Sequence, residues 1–323
     1  MLYAFTTLPD ASTTAFLMGL DEAEDPQNQL ERSLAVGSVR PEWCWLARDA
    51  SGAIAARHNW WARSGSPLPM GLDLVSAEDH EAAVALVVYA RDQLGVLEAR
   101  SEITVPTHRG DDPSAIRAPL VAVLEDTGFE FQVARVTVEW RCSSPLRTGP
   151  HGLTFRPARD LGDDQLLSLF VAVGADSLDH GMVADRARLG ADGEARQRLA
   201  AVRSHAGEPD WFSVGFTAQG EPVGYVVPGL SGGVPIVGEI GVAIAHRGRG
   251  YVDDLLAWAT GVLMTSGAER IVADTDRANG PMRAAFRRAD YQEIRWRDDY
   301  AWRRAPGPNS PVQVSGETPK RSV

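Results

Sequence analysis

The sequence has one lysine, Lys320, near its end; every other strongly basic side chain is an arginine. That scarcity excludes a Walker-type phosphate loop, a kinase ATP-binding lysine and a Schiff-base lysine from the body of the chain. Cysteine is also scarce. Cys44 and Cys142 lie far apart without CxxC spacing, so neither a disulfide framework nor a structural zinc site is expected, and no metal is assigned. No run of about 18 apolar residues occurs, which predicts no membrane span. The opening stretch "MLYAFTTLPDASTTAF" lacks a charged segment before a long apolar one, so it does not read as a signal peptide. A soluble cytoplasmic protein is the expectation. Positive charge is outnumbered, and the net charge of -11 argues against general nucleic-acid binding while suiting a cationic small substrate.

What is present is apolar. Hydrophobic residues make up 44% of 323, enough for two domains with their own cores. The Pro-, Ser- and Gly-rich stretch "CSSPLRTGPHG", residues 142–152, predicts a linker between a first domain over 1–141 and a second over 153–304. Residues 305–323, with little to bury, read as a flexible tail. An internal repeat supports the division. "LEDTGFEFQVARVTVEWR" aligns without a gap on "FRRADYQEIRWRDDYAWR", matching Phe129 with Tyr291 and Trp140 with Trp302. Upstream, "ALVVYARDQLGVLEARSEITV" and "DLLAWATGVLMTSGAERIVAD" each read as a helix leading to a strand.

Periodicity in the second half predicts the order βααβββαβαβ, an α+β pattern around one central sheet. Its strands include "GLTFRPARD", a hairpin turning at "AQGEP", "PIVGEIGVAIA", "RIVADTD" and "YQEIRWRDDYAWRR". "GADSLDHGMVADRA" falls between its first two helices.

The sharpest feature is "IGVAIAHRGRGYVDDLLAWA". Ile240, Val242 and Ile244 alternate with Glu239, Gly241 and Ala243, so one strand face carries a carboxylate and small residues that leave room for a ligand. After Gly250, apolar residues recur at helical spacing, which places "HRGRG" at a helix N-terminus. Unpaired backbone N–H groups and the helix dipole favour an anion there. Gly248 and Gly250 permit close approach or positive φ, and Arg247 and Arg249 add charge. A phosphate or pyrophosphate is the natural ligand; a solvated turn with purely geometric glycines is the alternative.

These residues resemble the GNAT acetyltransferase superfamily, whose pyrophosphate signature is Arg or Gln, two residues, Gly, one residue, then Gly or Ala. Here it reads Arg247, Gly248, Arg249, Gly250, Tyr251 and Val252, with valine replacing the small last residue. The resemblance covers about His151–Arg304 and implies acetyl-CoA as cosubstrate, its pyrophosphate on the backbone of residues 247–252. The pantetheine arm would lie beside Gly241, Val242 and Ala243, where the strand is usually splayed from the next. The Val242 N–H would hold the thioester carbonyl. Asn279 matches a residue that contacts the cofactor arm and is equally suited to cap the helix "GPMRAAF". Glu239 matches the general base; a strand glutamate paired with an arginine is the other reading. Phe286 stands where many members place an acidic tyrosine. Tyr291 is an alternative donor or a core aromatic.

The resemblance thus implies two tandem GNAT-like domains, each a mixed, mostly antiparallel sheet flanked by helices. The first is degenerate: "SAEDHEAA" puts Glu78 and Glu81 where Arg247 and Gly250 lie in the second, and carboxylates repel a pyrophosphate. Its expected work is to pack against the second domain and shape the substrate pocket. Asp176, Asp179 and His180 fall in the region that covers the acceptor in this family, and they could receive a cationic amine. Trp60, Trp61 and Trp211 could line a pocket or a core. The implied function is acetyl-CoA-dependent N-acetylation of a small-molecule amine by direct attack, without nucleic-acid or membrane partners. The tandem arrangement is also similar to mycothiol synthase. A non-catalytic acyl-CoA-binding sensor on the same fold is the competing reading.

Overall fold

Strand alternation and helical spacing in the sequence become two compact units that interleave along the chain. The computed structural model describes residues 3–8, 16, 26–63, 65–76, 79–107, 113–147, 149, 152–205, 207–208, 210–231 and 233–304. The expected tail, 305–323, and Glu78 lie outside the described residues. Unit 1 takes residues up to Ser101, Pro119–Glu130, and those from Tyr300 on; unit 2 takes Glu102–Ala118 and Phe131–Asp299.

In unit 1, β1 (Ala4–Thr7), β2 (Val39–Arg48), β3 (Ile54–Trp61) and β4 (Gly71–Ser76) are neighbours in chain order, and each pair is antiparallel. Helix α1 (Pro26–Ala35) precedes β2. Helix α2 (His80–Gln93) leads from β4 to β5 (Glu98–Pro106), which pairs parallel to β4. Leu46, Trp60, Leu72 and Leu86 are fully buried here. Each large apolar side chain so placed contributes about 1.5–3 kcal/mol. Trp60 is therefore core, and Trp61 packs partly buried against a neighbouring cluster. Asp79 caps α2, accepting from the Ala82 N–H at 3.0 Å, so a carboxylate already fills the helix end that would face an anion. Helix α3 (Pro113–Asp126) follows β5.

The chain continues, in unit 2 except for Glu130 and the end of the last strand, with β6 (Glu130–Arg141), β7 (Thr154–Pro157), α4 (Asp163–Gly174), α5 (His180–His205), β8 (Ser213–Phe216), β9 (Pro222–Ser231), β10 (Val234–Val242), α6 (Tyr251–Thr265), β11 (Arg270–Asp276), α7 (Gly280–Arg288) and β12 (Gln292–Arg303). From β7 this is the order expected. The strands run β12-β6-β11-β10-β9-β8-β7 across the sheet. Pairing is antiparallel from β7 through β10 and between β11 and β6, and parallel between β10 and β11. The architecture is α+β, with a mostly antiparallel sheet flanked by helices. The repeat is real at the level of topology: four strands in a meander, then a helix and a parallel fifth strand, occur in both halves.

Three differences from the sequence reading have physical causes. Strand β11 pairs along its whole length with the second half of β6, Arg135↔Asp276 through Arg141↔Arg270, so the compact units do not divide at 142–152. Helix α5 begins at His180, inside the segment read as loop, and is interrupted at Gly190 (φ 72°, ψ 172°), which hid its periodicity. Strand β10 stops at Val242; Ile244 enters a 3-10 turn and is exposed.

Alternation along the strands gives the sheet two apolar faces. Val136, Val138, Ile271 and Ala273 pack with Leu255, Leu256, Ala259 and Leu263 of α6. Tyr225 and Val227 of β9 pack with Phe170 and Val173 of α4 and Leu199 and Val202 of α5.

Candidate active site

Strands β10 and β11 start as a parallel pair and then part. Their register holds one pair, Ile236↔Val272. A bulge between Val237 and Glu239 keeps β10 paired to β9 as it diverges from β11. The gap opens into a cavity of about 1000 Å³, all of whose lining residues belong to unit 2. Glu239, Gly241 and Val242 line it from β10, and Asp176 and Asp179 from the α4–α5 connection. Arg247, Gly248, Gly250, Tyr251 and Val252 line it from the turn into α6, and Asn279 from the start of α7.

Not every expected residue reaches the cavity. Ala243 is buried in the α4/α5 core, and its N–H donates to Val223 O at 2.9 Å. Backbone alternation then turns the neighbouring Val242 N–H to the opposite edge, toward the gap. Arg249 is exposed outside the cavity lining. His180 is exposed too; its backbone N–H donates to Asp276 Oδ2 at 2.6 Å. The room expected above Gly241 is already taken: a Cβ there would lie 2.2 Å from Val173 Cγ1. The small side chain admits α4 rather than a ligand on that face.

The turn is built for backbone exposure. Gly248 (φ 75°) and Gly250 (φ 80°) are left-handed, and Gly250 stands at the N-cap of α6, which has no side-chain cap. Arg247 does not point its guanidinium at an anion. It ties the turn down by donating to Val242 O (3.1 Å), Asp176 O (2.9 Å) and Val173 O (2.7 Å). Two acidic residues in the first turn of α6 are occupied elsewhere. Asp253 accepts from Arg288 at 2.7 Å, and buried Asp254 accepts from the Leu153 N–H at 3.0 Å. Asn279 caps α7, accepting from the Met282 N–H at 3.2 Å, and also lines the cavity.

Glu239 sits deep in the cavity with 21% of its side chain open. Tyr225 donates its hydroxyl to Glu239 Oε1. Arg198 Nη1 donates to the same hydroxyl oxygen at 2.8 Å and lies 3.5 Å from Glu239 Oε1. Arg198 is anchored in turn by Glu194 (Nε to Oε1, 2.8 Å) and the Phe170 carbonyl (2.5 Å). Burial raises the Glu239 carboxyl above the ordinary carboxylate range; the Tyr225 hydrogen bond and the Arg198 charge oppose that shift. Burial likewise raises Tyr225, which stays a neutral donor. Both readings of Glu239 therefore hold: it is paired with an arginine, and it faces the cavity with a perturbed pKa.

Sequence reasoning missed Tyr225, Arg198 and Glu194. A signal existed: Glu194 and Arg198 share a helix face with Ala195, Leu199 and Val202, which are buried. Charges on an apolar stripe mark a buried polar network. Phe286 lines the cavity and is almost fully buried. Tyr291 is core: its hydroxyl meets Thr260 Oγ1 at 2.8 Å and burial raises its pKa. Trp211 lines a separate apolar cavity.

Residues 186–291 match the Acetyltransferase (GNAT) family. Among solved structures, a GCN5-related N-acetyltransferase from Sphaerobacter thermophilus is similar with a TM-score of 0.56 and 15% identity, covering 93% of this chain and 95% of that one. One from Kribbella flavida has a TM-score of 0.49 and 14% identity, covering 88% and 96%. A tandem GNAT protein from the clavulanic acid biosynthesis pathway, solved without AcCoA, has a TM-score of 0.47 and 13% identity, covering 94% and 99%. No curated protein matches the sequence.

Proposed function

We propose that unit 2, within which residues 186–291 match the Acetyltransferase (GNAT) family, is an acetyl-CoA-dependent N-acetyltransferase acting on a small-molecule amine. The observation that carries the reading is the position of Glu239, a partly open carboxylate in the cavity where β10 parts from β11. The residues fit the cosubstrate: two left-handed glycines and an uncapped helix start suit a pyrophosphate, and the gap between strands suits a narrow acyl arm. Bound there, an acyl-CoA supplies a thioester, whose acyl carbon gains a C–N bond to the amine as its C–S bond breaks and the thiolate departs.

The remaining roles fall to residues of the chain. Glu239 takes the proton from the acceptor ammonium, and its raised pKa matches that task better than an ordinary carboxylate would. The Val242 N–H would stabilise negative charge developing on an acyl oxygen held in the gap. The backbone of residues 248–252 and the side chain of Asn279 hold the cosubstrate, while Arg247 fixes the shape of the turn. Phe286 cannot donate a proton, and none is required, since a thiol with a pKa of about 8.5 leaves as thiolate. Asp79, already bonded to the Ala82 N–H, leaves unit 1 without an equivalent site.

The competing reading is a non-catalytic acyl-CoA-binding module, which Phe286 at the acid position favours. Glu239→Gln separates the two. An enzyme loses turnover and keeps acetyl-CoA binding; a sensor keeps its binding behaviour and has no turnover to lose.

A further inference from the structure

The far wall of the cavity points to a class of acceptor, on the premise that Glu239 is the base. Beyond Ile236↔Val272 the strands part, and Glu239 of β10 and Asp274 of β11 line the cavity from the two sides of the gap. Asp274 pairs in register with Thr137 of β6, whose hydroxyl donates to it at 2.6 Å. Arg297 of β12 reaches the same carboxylate at 3.0 Å. Asp274, Thr137 and Arg297 therefore form a polar row on the side of the gap across from Glu239.

In a chain of net charge -11, that side of the cavity is basic. It carries Arg135, Arg270, Arg295 and Arg297 against Asp274. Three of the arginines have carboxylate partners: Arg135 with Asp299, Arg270 with Glu139, and Arg297 with Asp274 and Asp299. Arg295, two residues before Arg297 on β12, is exposed to the cavity and has no carboxylate partner among the described residues. Acidic groups gather at the opposite end, where Asp176 and Asp179 stand with Glu239. At the reacting end the carboxylates stand with Arg198 and Arg247, whose guanidiniums are already bonded, whereas the guanidinium of Arg295 at the other end has no carboxylate partner among the described residues.

We propose that the acceptor is an elongated amine whose far end bears a carboxylate or a phosphate, held by Arg295 with Arg297 beside it. Adjacent strands lie about 4.8 Å apart, so the span from β10 toward β12 is on the order of 10–15 Å. That equals about three or four extended residues. Asp176 and Asp179 favour the ammonium end, and Arg297, fixed by Asp274 and Asp299, keeps the anion site in place.

The test measures thiol release from acetyl-CoA by the full chain with matched acceptors: triglycine against triglycinamide, and 6-aminohexyl phosphate against 6-aminohexanol. In at least one pair the anionic member is expected to have a kcat/KM about tenfold or more above its uncharged partner. Arg295→Gln should cut that ratio about tenfold while the acetyl-CoA Kd, measured by calorimetry, stays constant. A gain confined to one pair identifies the anion as carboxylate or phosphate. If acetyl-CoA binds and the uncharged members react equally well or better, the acceptor inference falls and the acetyltransferase reading survives. It falls too if acetyl-CoA binds but no anionic member reacts with or binds to the loaded protein. Absence of acetyl-CoA binding overturns both.

Discussion

Tyr225 donates its hydroxyl to Glu239 Oε1, and Arg198 donates to that same hydroxyl oxygen at 2.8 Å. The pair lies on adjacent strands β9 and β10, where Glu239 pairs in register with Val227, two residues from Tyr225. The base is thereby held from one side while its other side faces the cavity.

Glu239→Gln should reduce kcat by about 10²- to 10⁴-fold, the usual worth of a general base. Steady-state kinetics at saturating acetyl-CoA checks this.

The pH profile follows from the raised carboxyl. Only the ionised form accepts a proton, so activity rises with pH through the raised pKa, and the acid limb sits above the ordinary carboxylate range. Stability runs the other way: the folded state binds this proton more tightly than the unfolded state, so Glu239 costs stability as pH rises above the unfolded value. The thermal midpoint of Glu239→Gln relative to the natural protein should therefore increase from acid to neutral pH.

Tyr225→Phe removes the hydrogen bond that favours ionised Glu239. The acid limb of kcat/KM should move to higher pH. A limb that stays in place would show that the hydroxyl does not tune the base.

Gly241→Ala tests what fills the small face of β10. Its Cβ would fall 2.2 Å from Val173 Cγ1, so overpacking should cost about 1–3 kcal/mol in chemical denaturation. Adding Val173→Ala should restore most of that loss.

The order of elements in the second half was legible because alternation and helical spacing are strong there, and because Gly248 and Gly250 mark the entry to α6. Two things were not. A strand's partner is a long-range property, so nothing local in "FQVARVTVEW" announces that it pairs with "RIVADTD". Side-chain direction was also hidden. Arg247 is charged and beside a phosphate-type turn, yet three carbonyls claim its guanidinium. His180 lies in the acceptor segment, yet it is exposed outside the cavity lining and its backbone N–H is bonded to Asp276.

The most direct measurement is a calorimetric titration of the full chain with acetyl-CoA, beside Gly250→Glu. The left-handed Gly250 opens α6, so glutamate there adds backbone strain of about 1–2 kcal/mol and a like charge at the helix start. The account predicts one site per chain in the natural protein and its loss in a variant whose circular dichroism remains folded. No binding by the natural protein, or unchanged binding by the folded variant, would contradict it.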